Sequence, residues 1–194
     1  MVFEVIDMLD TLQILFWSIT YVLVIIAGFL SRNIRKVSMP YVAGILNFGW
    51  EICALCNSNG FWGHILWLSL DLLIVFWGVF YLQSNYQRII YILALTVCTV
   101  GLWYVFMIPA GMLISVFVID LIMAINFLIQ RKKLSPKMKT PIAITKLLGD
   151  TFAGLYYAPQ SNLIGIIACV VFMCNICYLY LCLEEAGLLE RYFK

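Results

Sequence analysis

Charge is what this sequence has least of: Asp, Glu, Lys and Arg make up 11% of 194 residues, against about a quarter in an ordinary soluble domain. With 64% hydrophobic residues, that scarcity excludes a soluble fold, which would have no means of covering so much apolar surface. Other absences narrow the chemistry. No Gly-rich phosphate loop, Ser-His-Asp set or basic nucleic-acid footprint occurs, so no nucleic-acid partner is expected. The single histidine, His64, stands near a helix end and reads as a hydrogen-bonded surface residue; no metal ligand set and no cofactor are expected. Residues 1–10 carry Glu4, Asp7 and Asp10 but no cation, so the basic start of a cleavable signal peptide is missing and the first helix is expected to be retained. The last helix has no lysine, which excludes a retinal Schiff base there.

What is present is a succession of apolar runs, each near the 20 or so residues that a helix needs to cross about 30 Å of hydrocarbon. Runs and breakers predict a single domain over 1–194, an all-α integral membrane protein of seven transmembrane helices. The spans fall near 11–30, 41–56, 63–82, 89–107, 110–130, 140–158 and 162–183. Fusing the fourth and fifth spans would give a run too long for one crossing, so a tight turn is expected at Pro109. Basic connections at Arg32-Asn33-Ile34-Arg35-Lys36, Arg88 and Arg131 to Lys139 alternate with uncharged ones at 57–62, 107–110 and 158–162. Adding Arg191 and Lys194, every cation except Lys146 lies on one side, which places the N-terminus outside and the C-terminus in the cytoplasm. The expected setting is multi-pass, in the cell membrane of a bacterium or the endoplasmic reticulum of a fungus.

Ionisable groups at membrane depth are costly and mark function. Glu51, Asp71, Asp120 and Asp150 lie on four different predicted helices, within roughly 8 Å of one another in depth at 1.5 Å per residue. Lys146 stands one turn before Asp150, at the spacing of an i,i+4 ion pair. For Glu51, Asp71 and Asp120 the sequence offers no cation. A carboxyl removed from water and set beside others holds its proton and becomes a donor, although packing by hydrogen bonds to neighbouring helices is the plainer use of each acid singly.

Trp50, Trp62, Trp67, Trp77 and Trp103, with Tyr104, Tyr156, Tyr157 and Tyr178, are numerous enough to line an apolar pocket whose ring faces attract a cation, once about half are assigned to lipid or to the interface. Seven cysteines inside or at the ends of apolar segments read as free buried thiols. The pairs Cys53/Cys56 and Cys174/Cys177 sit at depths about 12 Å apart, too far for one zinc ion.

The segment Ser38-Met39-Pro40 followed by Asn47-Phe48-Gly49-Trp50-Glu51 resembles a signature of the membrane-bound terpene cyclases of fungal indole-diterpene and meroterpenoid pathways, the family of the paxilline and pyripyropene cyclases. Trp67 with Asp71, and Lys146-Leu147-Leu148-Gly149, are similar to further stretches of that family, and the resemblance extends over essentially the whole chain. It implies metal-independent protonation of an epoxide or alkene on a lipophilic prenylated substrate, ring closure through carbocations and loss of a proton. Glu51 matches the family's second-helix acid. The last-helix Asp-x-x-Tyr reads Asn175-Ile176-Cys177-Tyr178 here, an amide in place of the acid. The resemblance thus assigns catalysis to Glu51, with Asp71 assisting and Asn175 orienting. Substrate contacts fall to Asn47, Trp50, Trp67, Asp120, Lys146 and Tyr178.

Two other functions use the same acids. A transporter would relay protons or bind a small solute along them, but no internal repeat is visible and the outside loops are short and uncharged. A non-catalytic protein would bind an isoprenoid or other membrane lipid, with Asn175 as the trace of a lost activity.

Overall fold

The computed structural model describes residues 2–30, 39–57, 62–81, 84–134 and 136–188. Ser38, Arg32, Arg35, Lys36, Arg191 and Lys194 lie outside the described residues, as does the side chain of Trp77. Every long element described is an α-helix: α1 (Val2–Leu30), α2 (Met39–Asn57), α3 (Trp62–Tyr81), α4 (Asn85–Phe106), α5 (Gly111–Gln130), α6 (Pro136–Tyr157) and α7 (Asn162–Glu185). No strand occurs among the described residues. Helices α1, α3, α4, α5 and α7 are long and apolar enough to cross a membrane, the mark of a membrane protein. The other two carry the most polar cargo, Asn47 and Glu51 in α2 and Lys139, Lys146 and Asp150 in α6.

Helix ends follow local chemistry. Ser84 caps α4 in a capping box, its hydroxyl accepting from the Gln87 backbone N–H at 3.2 Å while the Gln87 side chain returns to the Ser84 N–H. This fixes the start of α4 at Asn85, four residues before the apolar run suggests. Pro136 opens α6 where its missing N–H costs no helical bond. The expected turn at Pro109 joins α4 to α5, with Ala110 in the left-handed region at φ 58°. A Cβ on Gly111 would lie 1.9 Å from the Val105 carbonyl oxygen, so this close reversal requires glycine. Helix α1 begins well before the predicted residue 11, because Asp7 and Asp10 end the apolar run without breaking the helix.

The chain forms two compact units. Residues 33–119 make one, in which α2 packs against both α3 and α4; residues 1–32 with 120–194 make the other, in which α6 packs against both α1 and α7. Helix α5 gives its first part to the former and the rest to the latter. Small residues permit the closest approaches: Gly49 faces the backbone of Thr99 on α4, and Gly149 receives the indole of Trp17 from α1. Outward faces are strongly apolar. Phe76 is 69% exposed and Val97 71%, and Tyr91 is the buried residue of α4. Such faces suit lipid and not water.

Candidate functional site

Two buried polar clusters stand out, one in each unit. In the 33–119 unit, Asn47, Trp50 and Glu51 recur at i, i+3 and i+4 on α2, which places them on one face. His64, Trp67 and Asp71 recur at i, i+3 and i+7 on the α3 face that meets it. Glu51 is 3% exposed, and its Oε2 lies 2.9 Å from Nδ1 of His64, itself 7% exposed. At that distance one proton lies between the two atoms, on whichever of them carries it. Both tryptophans meet the His64 ring edge-to-face, Trp50 at 5.6 Å and Trp67 at 5.9 Å between centroids. Trp50 is oriented in turn by donating from Nε1 to the Ser115 hydroxyl at 3.0 Å.

One turn below Glu51 on the same face, Asn47 donates from Nδ2 to Oδ2 of fully buried Asp71 at 2.9 Å. The other carboxyl oxygen of Asp71 and the Trp67 indole N–H have no hydrogen-bond partner among the described residues. Buried polar atoms left this way cost about 1–3 kcal/mol each, unless a water, an ion, a ligand or a reacting group meets them.

In the other unit, Lys146 is 0% exposed and donates from Nζ to Oδ2 of Asp150 at 2.8 Å, the i,i+4 pair that the spacing predicts. Its ammonium also sits over the Trp17 ring, 4.4 Å from the centroid. Asn175 donates from Nδ2 to the same Asp150 oxygen, leaving Oδ1 of both residues without a partner among the described residues. Asp150 of α6 thus brings a buried carboxyl against the Asn175 side chain of α7. Tyr178, fully buried one turn further along α7, packs its ring 5.5 Å from that of Phe127. Asp120 is buried on α5 in this unit.

Several expectations need correcting. His64 is not a surface residue: it is buried between Trp50 and Trp67 and is the hydrogen-bond partner of Glu51. The cysteines are all free, but Cys56, Cys169 and Cys177 lie on exposed apolar faces instead of in the core. Trp62, Trp103 and Tyr104 are exposed, so among the described side chains of the aromatic set in this unit Trp50 and Trp67 are the ones at the Glu51 site. Lys139 is a buried residue inside α6 and pairs with Glu185, which also accepts from Arg131 Nε at 3.1 Å. An apolar groove of about 310 Å³ is lined by Leu128, Val170, Met173 and Cys174, with no acid in its lining. Among the described residues no group of three or more His, Cys, Asp and Glu comes together as a metal site.

The chain matches no protein-family model, and neither a curated protein nor a solved structure matches it.

Proposed function

We propose that this protein is a seven-span intramembrane enzyme, N-terminus outside and C-terminus in the cytoplasm, that cyclises a lipophilic prenylated substrate by proton transfer. The observation that carries the reading is the Glu51–His64 pair: a carboxyl and an imidazole 2.9 Å apart, buried in the unit that α2 and α3 build and framed by two indoles. Such a pair holds a proton out of reach of bulk water and presents it to a group that water would otherwise protonate unselectively.

In this scheme the proton of the pair passes to an epoxide oxygen or a terminal alkene carbon. The epoxide C–O bond opens, or the π bond shifts its electrons to the new C–H bond, and a carbocation forms. Internal alkenes close rings onto it, and a C–H proton lost from the last cation returns to the pair, so substrate and product are isomers. Trp50 and Trp67 turn aromatic rings toward the site and stabilise the cation, each worth about 0.5–2 kcal/mol. Asp71, held by Asn47, is the second carboxyl of the site and assists with its unpartnered oxygen.

The test is incubation of the lipid-reconstituted protein with a panel of epoxidised and plain prenyl compounds, with chromatography to separate isomers of equal mass before mass spectrometry. A new isomer that depends on the protein is expected. Unchanged substrate across the panel would overturn the reading.

A further inference from the structure

Helices α5 and α7 end, and α6 begins, at one cluster of charge. Glu185 of α7 pairs with Arg131 Nε at 3.1 Å and with Lys139 of α6, while Lys132 and Lys137 are exposed. Glu184 is the other described acid of this end, which therefore carries a surplus of positive charge. The Arg131 guanidinium also donates from Nη1 to the Leu128 carbonyl at 2.9 Å, which holds it against the last turn of α5. Leu128 in turn lines the apolar groove whose other wall is α7, through Cys169, Val170, Met173, Cys174 and Cys177. No charged, amide or hydroxyl side chain lines it. The Phe127 and Tyr178 rings meet at 5.5 Å, so the two helices are level where the groove starts. From there it runs back along α7 from Cys177 to Cys169, about 12 Å, and Arg131 lies about 4.5 Å beyond Leu128 in the other direction. The total, about 17 Å, matches half of a hydrocarbon layer of about 30 Å. A volume of about 310 Å³ takes about ten groups the size of a water or a methylene, at about 30 Å³ each.

We propose that the α5–α7 groove holds one acyl chain of an anionic phospholipid, whose phosphate is bound by Arg131 and Lys132 at the basic end. This site is independent of the chemistry at Glu51. Arg131 commits Nε to Glu185 and one Nη1 proton to Leu128, and its remaining guanidinium protons suit a phosphate at the membrane surface. Charge selects the headgroup: a zwitterionic lipid brings its own cation to an end that already has a surplus, whereas an anionic one neutralises it. The same surplus disfavours a second copy of this chain as the occupant, because two copies lying parallel in a membrane would bring their basic ends together. Depth and apolarity select the chain, which lies where the groove replaces lipid contacts on one side with Leu128, Met173 and the cysteines.

The experiment takes the whole protein in detergent, titrates it with phosphatidylglycerol or with phosphatidylcholine of the same acyl chains, and counts bound lipids by native mass spectrometry. One phosphatidylglycerol per chain is expected to bind about tenfold tighter than phosphatidylcholine, the preference that two cations beside an anionic headgroup give. Arg131→Gln leaves Glu185 its Lys139 partner and is expected to lower that preference about fivefold. Lys132→Gln, at an exposed side chain with no part in the fold, is expected to lower it by a similar factor. Cys174→Phe fills the groove and should weaken both lipids alike, by about tenfold, with the basic end intact. Equal affinity of the wild type for the two lipids, an unchanged preference in both cation variants, or full binding to Cys174→Phe would overturn the proposal. So would a two-chain mass that Cys174→Phe returns to one chain, since a second copy would then be the occupant.

Discussion

Replacing Asp150 by Asn removes the carboxylate that pairs with the Lys146 ammonium, and both side chains are sealed, at 0% and 2% exposure. At 2.8 Å the pair attracts by about 6 kcal/mol with an effective dielectric near 20, and desolvation of the two ions offsets much of that. Removing one partner is a different matter, since the desolvation cost of the survivor remains; losses of about 3–5 kcal/mol are typical. Lys146→Met should cost as much through the orphaned carboxylate and the lost contact with Trp17. For a chain of this size each kcal/mol moves the melting temperature by about 2–4 °C, so each single variant should melt roughly 6–20 °C lower. The double variant, with no charge to strand, should recover most of that loss. The assay is tryptophan-fluorescence melting of the four proteins in one detergent. If the double variant's loss equals the sum of the single losses, the two side chains do not interact and the picture of a sealed pair is wrong.

Gly49→Val should lower thermal stability by about 1–3 kcal/mol, since a Cβ there would stand 2.8 Å from the Thr99 hydroxyl and 3.4 Å from the Thr99 backbone; the same melting assay reads it. Ser84→Ala should cost about 1 kcal/mol by opening the capping box of α4, and Ser84→Asp should restore most of that loss.

Helix number and order were legible because apolar runs of membrane length need little context. The Lys146–Asp150 pair was equally legible, since i,i+4 geometry is local to one helix. What escaped was tertiary. His64 looked like a lone residue near a helix start, yet the i, i+3, i+7 spacing of His64, Trp67 and Asp71 was a signal that they share a face with the acid chemistry. Nothing local announces that Asn175 meets Asp150, because that contact depends on how α6 and α7 approach. Lys139 reads as a loop cation until Pro136 is seen to start the helix earlier. The acids Asp7 and Asp10 concealed the first turns of α1 for the converse reason: charge ends an apolar run without ending a helix.

The central claim, that Glu51 with His64 delivers the initiating proton, is tested most directly by comparing product formation for wild type and Glu51→Gln in the same lipid, on the prenyl compound that the wild type converts. Gln keeps the shape and a hydrogen bond to His64 but has no acidic proton. The account predicts a fall of about 10²–10⁴-fold in turnover with melting behaviour preserved. Turnover at the wild-type rate in folded Glu51→Gln would contradict it and remove the pair from the chemistry.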